Sequence, residues 1–270
     1  MPELPEVETT LRGIEPHLLN QRIARVIVRD PRLRWPVPDE VSKAEGQTFV
    51  RLERRGKYLL LWLQQGGLII HLGMSGSLRI VQHPTAPEKH DHVDVELANG
   101  VCLRFNDPRR FGAFLWVDED MHSHELLRDL GPEPLSGKFT ADYLYKQSRN
   151  RRVAIKNFIM NGHVVVGVGN IYASEALFMA GIHPKRAAGR VSRQRYEGLV
   201  AAICDVLDRA IRRGGTTLRD FVNSDGAPGY FAQELLVYDR AGKDCFQCGA
   251  NIKQKVIGQR SSFYCPACQR

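Results

Sequence analysis

The chain begins Met1-Pro2-Glu3, and a proline in second position brings unusual chemistry within reach. Removal of Met1, which is efficient before a small residue, would expose the secondary α-amine of Pro2. Because an α-amine has a pKa of about 7.7–8.0, a usable fraction is neutral and nucleophilic at pH 7. Attack of that amine on a carbonyl-like carbon gives an iminium ion, which is an electron sink without a further proton. The alternative is that Pro2 only eases removal of Met1 and sets a turn.

A second chemical pattern lies near the other end of the chain. The motif C-x2-C-x16-C-x2-C is formed by Cys245, Cys248, Cys265 and Cys268. Two such pairs can hold a tetrahedral ion, so the spacing predicts a structural four-thiolate zinc site that is closed to substrate; the alternative is two accidental thiol pairs. The spacer is long enough for a β-hairpin and carries Lys253, Lys255 and Arg260, which makes a phosphate-binding zinc ribbon plausible.

Two glycine-punctuated turns follow apolar runs, at 71–76 and 107–112. The first presents Met74, and the second presents Arg109 and Phe111. Apolar side chains beside an arginine are what proteins use to unstack a base step and fill the vacated space. The alternative is that Met74 and Phe111 belong to the core. Lys57 lies in a basic run, and the alternative for this run is a solvated surface without a binding role.

The run Gly167-Val168-Gly169-Asn170 precedes a helical pattern that extends through Ala180. The third glycine of a dinucleotide-binding motif is missing, and no βαβ unit surrounds the run. A glycine-rich turn that delivers Asn170 to a helix N-terminus instead predicts a site for a phosphate. A plain helix cap is the alternative.

The elements that must position these residues change character along the chain. Apolar residues at Val7, Leu11, Ile14 and Leu18 predict an N-terminal amphipathic helix that begins near Pro5. From about 22 to 117 short apolar or alternating runs predict an antiparallel β-sandwich, with Asn99-Gly100 as a two-residue hairpin turn. The runs are Tyr58–Leu63, Leu68–Leu72, Ser77–Val81, Val93–Leu97, Val101–Phe105 and Ala113–Val117.

Helical patterns dominate from about 140 to 214, and the clearest runs from Ser192 to Arg213, where Gly214-Gly215 ends it. The fold class is therefore α+β. The predicted organisation is a catalytic β-sandwich domain with the N-terminal helix at 1–131, a linker at 132–150, a helical domain at 151–236 and a zinc ribbon at 237–270. The segment Asn223–Tyr230 has the composition of a mobile loop.

The 270 residues carry 38 Lys and Arg against 30 Asp and Glu, a net charge of +8 that favours a polyanionic partner. The sequence shows neither an apolar run of membrane-spanning length nor the charged and then apolar pattern of a secretory signal peptide. We therefore expect a cytosolic protein. In that compartment the six cysteines are thiols or metal ligands rather than disulfides.

Taken together, these motifs resemble the formamidopyrimidine-DNA glycosylase family of bacterial oxidised-purine repair enzymes. The similarity runs nearly end to end: PELPEVE, RRGKYLL, HLGMSGSLR, KHDHVD, DPRRFGA, GVGNIYASE, GGTTLRDF and the four-cysteine ribbon. The related endonuclease VIII branch prefers oxidised pyrimidines. It generally differs at the PEL and HLGMSG segments and at the positions of Met74, Arg109 and Phe111. A zinc-ribbon DNA-binding protein without catalysis is the rival from another class.

The resemblance implies a β-sandwich flanked by helices, a helix–two-turn–helix domain and a zinc ribbon, with zinc as the one cofactor and damaged duplex DNA as the partner of a monomer. It makes Pro2 the nucleophile at C1′ and Glu3 the acid/base, with β- and δ-elimination following base release. It assigns Lys57 and Arg260 to proton donation during elimination. For Arg260 we favour phosphate contact, because an arginine hardly deprotonates.

By the same resemblance, Met74, Arg109 and Phe111 fill the gap left by the flipped base. The positions expected at the DNA backbone are His71, His90, Arg151, Lys156, Asn170, Tyr172 and Arg260. The 223–230 loop would close over the flipped base. Arg219 departs from the lysine of a relative, and its different donor geometry could shift lesion preference.

Overall fold

A computed structural model describes residues 2–82, 84–215 and 234–270. Arg219 and the predicted loop at 223–230 lie outside these residues. The chain divides into two compact units: the described residues of 1–129 with 213–215, and those of 130–212 with 234–270. In the described residues, every helix is too short or too polar to cross a membrane.

The first unit begins with helix α1 (Leu4–Leu18), as the apolar spacing predicts. Val7, Ile14 and Leu18 are at most 1% exposed and join the core of this unit. Pro5 occupies the first turn, where its missing N–H costs nothing. The carboxylate of Glu6 accepts the backbone N–H of Glu3 at 2.8 Å, which fixes the start of the helix.

Two four-stranded antiparallel sheets follow, and their facing apolar side chains share one core. The predicted sandwich is confirmed, including the hairpin at Asn99-Gly100, where Gly100 has φ +85°. In chain order the strands are β1 (Ile23–Val28), β2 (Phe49–Arg55), β3 (Tyr58–Leu63), β4 (Gly67–His71), β5 (Ser77–Gln82), β6 (Asp91–Leu97), β7 (Val101–Asn106) and β8 (Ala113–Val117). The sheet orders are β1-β6-β7-β5 and β2-β3-β4-β8. Short 3-10 turns lie at Asp39–Ala44 and Met121–Ser123.

The second unit contains four α-helices among its described residues: α2 (Ala141–Ser148), α3 (Ile155–Ile159), α4 (Asn170–Met179) and α5 (Arg193–Arg212), with a 3-10 turn at Ala188–Arg190. Helix α4 is buried on nearly all sides and packs against α5. As predicted, the hydroxyl of Ser192 accepts a backbone N–H of the first turn of α5, and the helix ends before Gly214 and Gly215, both at positive φ.

The cysteine module forms the predicted hairpin, from strands β9 (Lys253–Ile257) and β10 (Arg260–Tyr264). Its turn, Gly258-Gln259, has φ of +56° and +61°, the geometry of a tight hairpin turn. A Cβ at Gly258 would meet the side chain of Asn157 on α3, and the positive φ of this residue also favours glycine. The hairpin tip is thereby seated against α3.

Candidate functional site

The N-terminal segment is held rather than loose. Pro2 is buried, and Glu3 and Glu6 are 1% and 2% exposed at the first turn of α1. Because the Glu3 N–H is bonded to Glu6, the backbone that carries the Pro2 ring has a fixed direction. The positive end of the helix dipole also favours carboxylates at this position. The structure therefore places Pro2 and Glu3 as neighbours on a rigid helix start.

The two glycine-punctuated turns, which we call the wedge turns (71–76 and 107–112), lie against each other in the first unit. Gly73 has φ +63°, and a Cβ there would come within 2.5 Å of the backbone of Phe111 and Gly112. Only glycine fits so close a backbone approach. Met74 on one turn is half-buried, whereas Phe111 on the other is 44% exposed.

A single buried carboxylate joins the wedge turns. Asp107 is 0% exposed and accepts the Ser75 hydroxyl at 2.9 Å and the Gly112 N–H at 2.8 Å, with the Arg109 N–H at 3.3 Å. Its backbone oxygen meets Nε2 of buried His92 at 2.9 Å. Hydrogen bonds to an ionised acceptor are stronger than neutral ones, so this carboxylate can fix both turns.

The side chains presented by the second wedge turn form a pair. The guanidinium of exposed Arg109 lies 5.2 Å from the ring centroid of Phe111, within cation–π range. The neighbouring residue His90 sits in the left-handed region at φ +73°, and its carbonyl accepts the Asp107 N–H at 3.1 Å. An apolar ring beside an arginine on a rigid turn can enter a base stack.

Lys57 and His71 are brought together by the pairing of β3 with β4. Lys57 lies in the turn before β3, and Tyr58 pairs with His71, whose ring is 4.8 Å from the tyrosine ring. Burial, with the nearby cations Lys57 and Arg34, lowers the pKa of His71 to about 4. Its Nδ1 accepts the Gly73 N–H at 3.0 Å, so in the neutral ring Nε2 carries the proton. His71 is therefore a neutral hydrogen-bond donor at pH 7.

In the second unit, Lys156 lies inside the protein. It is 0% exposed, and its ammonium donates to Asn170 Oδ1 at 2.5 Å, Ser262 Oγ at 2.7 Å and the Ser261 carbonyl at 3.1 Å. Three acceptors match the three N–H bonds of an ammonium. Asn170 also donates to the Ser261 carbonyl at 3.0 Å. This network ties α3 and the start of α4 to strand β10.

The other residues expected at DNA divide by exposure. Arg260 and Arg151 are exposed, Arg260 at the first position of β10 and Arg151 just after α2. Tyr172 is 0% exposed within α4. Asn170 is the first residue of α4, at the helix N-terminus that the glycine-rich run predicts. Arg260 thus begins the same strand that Lys156 and Asn170 hold.

Glu175 is a residue that sequence reasoning missed. It is 1% exposed, and its carboxylate accepts three successive backbone N–H groups, those of Leu236 at 2.7 Å, Val237 at 3.0 Å and Tyr238 at 2.8 Å. Burial raises the pKa of Glu175, and the three N–H donors oppose that rise. A carboxylate within the apolar pattern of α4 was the available signal, because a buried charge must have partners.

The four cysteines of the ribbon converge. Their Sγ atoms all lie within 4.8 Å of one another, with Cys245 to Cys268 at 3.9 Å and Cys248 to Cys265 at 3.5 Å. A zinc ion with four bonds of about 2.3 Å requires S–S separations of about 3.8 Å. The Cys268 N–H points at Cys265 Sγ at 3.4 Å, the kind of contact that supports a ligand thiolate. The thiols are arranged to hold one tetrahedral metal ion.

Comparison with known proteins identifies the family. Residues 1–114 match the formamidopyrimidine-DNA glycosylase N-terminal domain, and residues 130–222 match the H2TH domain of the same enzymes. The chain belongs to the formamidopyrimidine-DNA glycosylase family. It is accordingly a base-excision repair glycosylase that acts on damaged DNA.

Relatives and solved structures agree over the full length. The chain is 60% identical over 272 residues to the formamidopyrimidine-DNA glycosylase of Thioalkalivibrio sulfidiphilus, covering 100% of both. A Lactococcus lactis Fpg mutant in complex with Fapy-dG-containing DNA superposes with a TM-score of 0.93 at 32% identity, with 100% of both chains covered. The wild-type Lactococcus protein bound to oxidised-pyrimidine-containing DNA gives a TM-score of 0.92 at 32% identity, again over 100% of both chains.

Proposed function

We propose that this enzyme removes oxidised purines, 8-oxoguanine and formamidopyrimidines, from duplex DNA and then cleaves the strand as an abasic-site lyase. It would act as a monomer in the bacterial cytoplasm. The observation that carries the proposal is the pair of wedge turns, where Arg109 and the exposed Phe111 stand on a backbone fixed by buried Asp107. Such a wedge can occupy the space of a flipped base, which chemistry at C1′ requires.

In the proposed mechanism, the neutral Pro2 nitrogen attacks C1′ and forms an N–C1′ bond. The C1′–N9 bond breaks, and its electron pair leaves with the base, which takes up a proton. Glu3 protonates O4′ as the C1′–O4′ bond opens, and the amine proton is lost, which leaves an iminium ion. The iminium acidifies the 2′-hydrogen; its removal expels the 3′-phosphate, and a second elimination expels the 5′-phosphate.

The remaining site residues have binding roles in this proposal. Met74, Arg109 and Phe111 occupy the gap, and Lys57 and Arg260 donate protons or hydrogen bonds to the departing phosphates. DNA backbone contacts are assigned to His71, His90, Arg151, Lys156, Asn170, Tyr172 and Arg260. Because Lys156 and Tyr172 are fully buried, their effect on DNA would pass through the residues that they hold.

The four converging thiols support zinc as the structural metal, held by Cys245, Cys248, Cys265 and Cys268. The ion would fix the ribbon that carries Arg260 and would take no part in bond breaking. Changing Cys248 to Ser should release zinc and weaken DNA binding, while the Pro2 amine keeps its chemistry. DNA affinity that survives the loss of zinc would contradict this role.

Borohydride reduction on abasic-site DNA, followed by tryptic digestion and mass spectrometry, tests the mechanism. The expected adduct lies on the peptide from Pro2 to Arg12 and requires the loss of Met1. In Glu3→Gln, base release should fall much more than adduct formation on preformed abasic DNA. An adduct on Lys57 would overturn the assignment of the nucleophile, and the absence of any adduct would favour a non-catalytic zinc-ribbon protein.

The choice of lesion is tested separately, because an Fpg relative has been crystallised with oxidised-pyrimidine-containing DNA. Release of 8-oxoguanine opposite cytosine should be faster than release of thymine glycol. Faster release of the pyrimidine would place the enzyme functionally with the endonuclease VIII branch instead.

A further inference from the structure

An open cavity of about 670 Å³ lies in the second unit, outside the residues discussed above. Its walls are the loop after α4 and the last two residues of the chain. The cations that line it are Lys185, Arg186, Arg190 and Arg270, with His183 beside them, and among the described residues no acidic side chain lines it. This set, the basic cavity, offers hydrogen-bond donors and positive charge together.

The walls of the basic cavity are fixed by backbone and buried side-chain contacts. Gln269, 2% exposed, donates to the Ile182 carbonyl at 2.9 Å and accepts the Cys265 N–H at 2.8 Å. The His183 N–H donates to the Arg270 main-chain oxygen at 3.2 Å. These bonds join the loop to the zinc-ribbon cysteines, so the backbone that carries the cations is held in place before a ligand binds.

The described residues that line the basic cavity include four cations and no acidic side chain. Within the described part of the chain, Lys185, Arg186, Arg190 and Arg270 form no ion pair with a carboxylate side chain. Burial and the surrounding cations lower the pKa of His183, and burial with Arg186 lowers the pKa of Arg195. The excess of cationic over acidic side chains at the cavity favours a bound anion.

The basic cavity is separate from the Arg260 end of the ribbon. The His183 ring meets Tyr264, the last residue of β10, at a centroid distance of 4.6 Å. Arg260 begins the same strand, four residues earlier, which is about 13 Å at the usual strand rise. A ligand in the cavity would therefore use cations other than Arg260.

We propose that the basic cavity is a second anion site that binds at least two linked phosphate groups. Arginine guanidinium groups match phosphate in a bidentate manner, and the three arginines and one lysine that line the cavity offer more donors than a single phosphate can accept. The phosphates could belong to a nucleic-acid strand outside the lesion site or to a free polyphosphate, and both sources present the same chemistry to these cations.

The test compares two double variants with equal charge change. Lys185→Ala/Arg190→Ala removes two exposed cavity cations, and Lys138→Ala/Lys146→Ala removes two exposed lysines elsewhere in the same unit. Sodium tripolyphosphate is titrated into each zinc-loaded protein by calorimetry. Affinity for an undamaged long duplex is then measured against salt concentration. Excision of 8-oxoguanine from a short duplex, which should be unchanged in both variants, checks the proposed catalytic site independently.

The cavity variant should bind tripolyphosphate about tenfold more weakly than wild type, and the control variant should not. If the salt dependence of duplex binding also falls by about 0.9 for each lost phosphate contact, the ligand is a nucleic-acid strand. If duplex binding is unchanged, the site takes free polyphosphate. Equal tripolyphosphate affinity in the cavity and control variants would overturn the proposal.

Discussion

The two units hold their candidate DNA-contacting side chains with buried charges of opposite sign. In the first, the carboxylate of Asp107 collects N–H and O–H donors from both wedge turns. In the second, the ammonium of Lys156 collects oxygens from α4 and β10. Each charge is fully buried and fully hydrogen-bonded, which is the condition under which a protein tolerates one.

The difference follows from what each region offers. Turns present backbone N–H groups that no ladder uses, so a short acceptor side chain such as Asp107 organises them locally. The hairpin instead presents a carbonyl and a hydroxyl, and the long lysine stem reaches them from α3. Lys156 and Ser261 are 105 positions apart in the sequence, whereas Asp107 and Ser75 are 32 apart. The Asp107 carboxylate therefore holds two surface turns of one unit, whereas the Lys156 ammonium joins α3 to the start of α4 and to β10.

Replacing Asp107 with Asn should cause the largest effect in this comparison. The amide keeps one oxygen but turns an NH2 group toward the donors of Ser75 or Gly112, which should cost about 2–4 kcal/mol of stability. Excision should fall as well, because Arg109 and Phe111 lose their fixed backbone. Urea unfolding followed by tryptophan fluorescence measures the cost, since all three tryptophans lie in the first unit.

The matched control is Ser75→Ala, which removes one donor and leaves the carboxylate intact. It should cost about 1 kcal/mol. An Asp107→Asn enzyme that unfolds and excises like wild type would show that the wedge turns are held by their backbone contacts alone.

Replacing Lys156 with Met should have the next largest effect. The thioether fills similar space but removes the ammonium donor from Asn170 Oδ1 and Ser262 Oγ, whereas the Ser261 carbonyl keeps the Asn170 amide as a donor; the cost should be about 2–3 kcal/mol. Affinity for abasic-site DNA should fall about tenfold because the strand that begins at Arg260 is no longer held. In an Arg260→Ala background, adding Lys156→Met should weaken the affinity for abasic-site DNA little further.

Ser262→Ala distinguishes this indirect role from a direct phosphate contact. Ser262 is 0% exposed, so its hydroxyl acts on DNA only through the network. The variant should weaken binding in the same direction by a smaller factor. Full additivity of the Lys156 and Arg260 changes, together with a silent Ser262 variant, would favour a phosphate contact by Lys156 itself.

The sequence predicted the parts of the fold and site that depend on local pattern. The 4-3-4 spacing from Val7 predicted α1, the cysteine spacing predicted the ribbon, and the glycines at 73 and 112 located the wedge turns. The sequence pattern does not predict strands β1 and β2 individually, because their side chains are mostly half-exposed or exposed and lack a clean apolar alternation.

The sequence pattern did not predict which charged side chains are buried. Lys156 was expected at the DNA backbone, yet its three acceptors come from α4 and from a strand more than a hundred residues away. Glu175 likewise depends on N–H groups about sixty positions later in the chain. Whether a lone charged residue in an apolar run is buried depends on partners that are distant in the sequence. The hydrophobic periodicity of the run does not identify those partners.

His71 and Lys57 provide the smallest and most specific test, because they are adjacent yet differ in charge. His71 is neutral at pH 7, so His71→Asn should weaken DNA binding through a lost hydrogen bond without changing its salt dependence. Lys57→Gln should lower that dependence by about 0.9, the value for one phosphate contact. An equal loss of salt dependence in both variants would mean that His71 binds DNA as a cation.

Stability against pH tests the same assignment without DNA. The folded pKa of His71 is about 4, below its ordinary value of 6.5, so the unfolded chain binds more protons between these values. The stability that comes from neutral His71 should be complete above pH 6.5 and should decline as the pH falls toward 4. Urea unfolding followed by tryptophan fluorescence at pH 7.5 and 5 should therefore show a smaller acid loss in His71→Asn than in wild type. If the two proteins lose the same stability, burial does not hold this ring neutral, and the contrast between His71 and Lys57 fails.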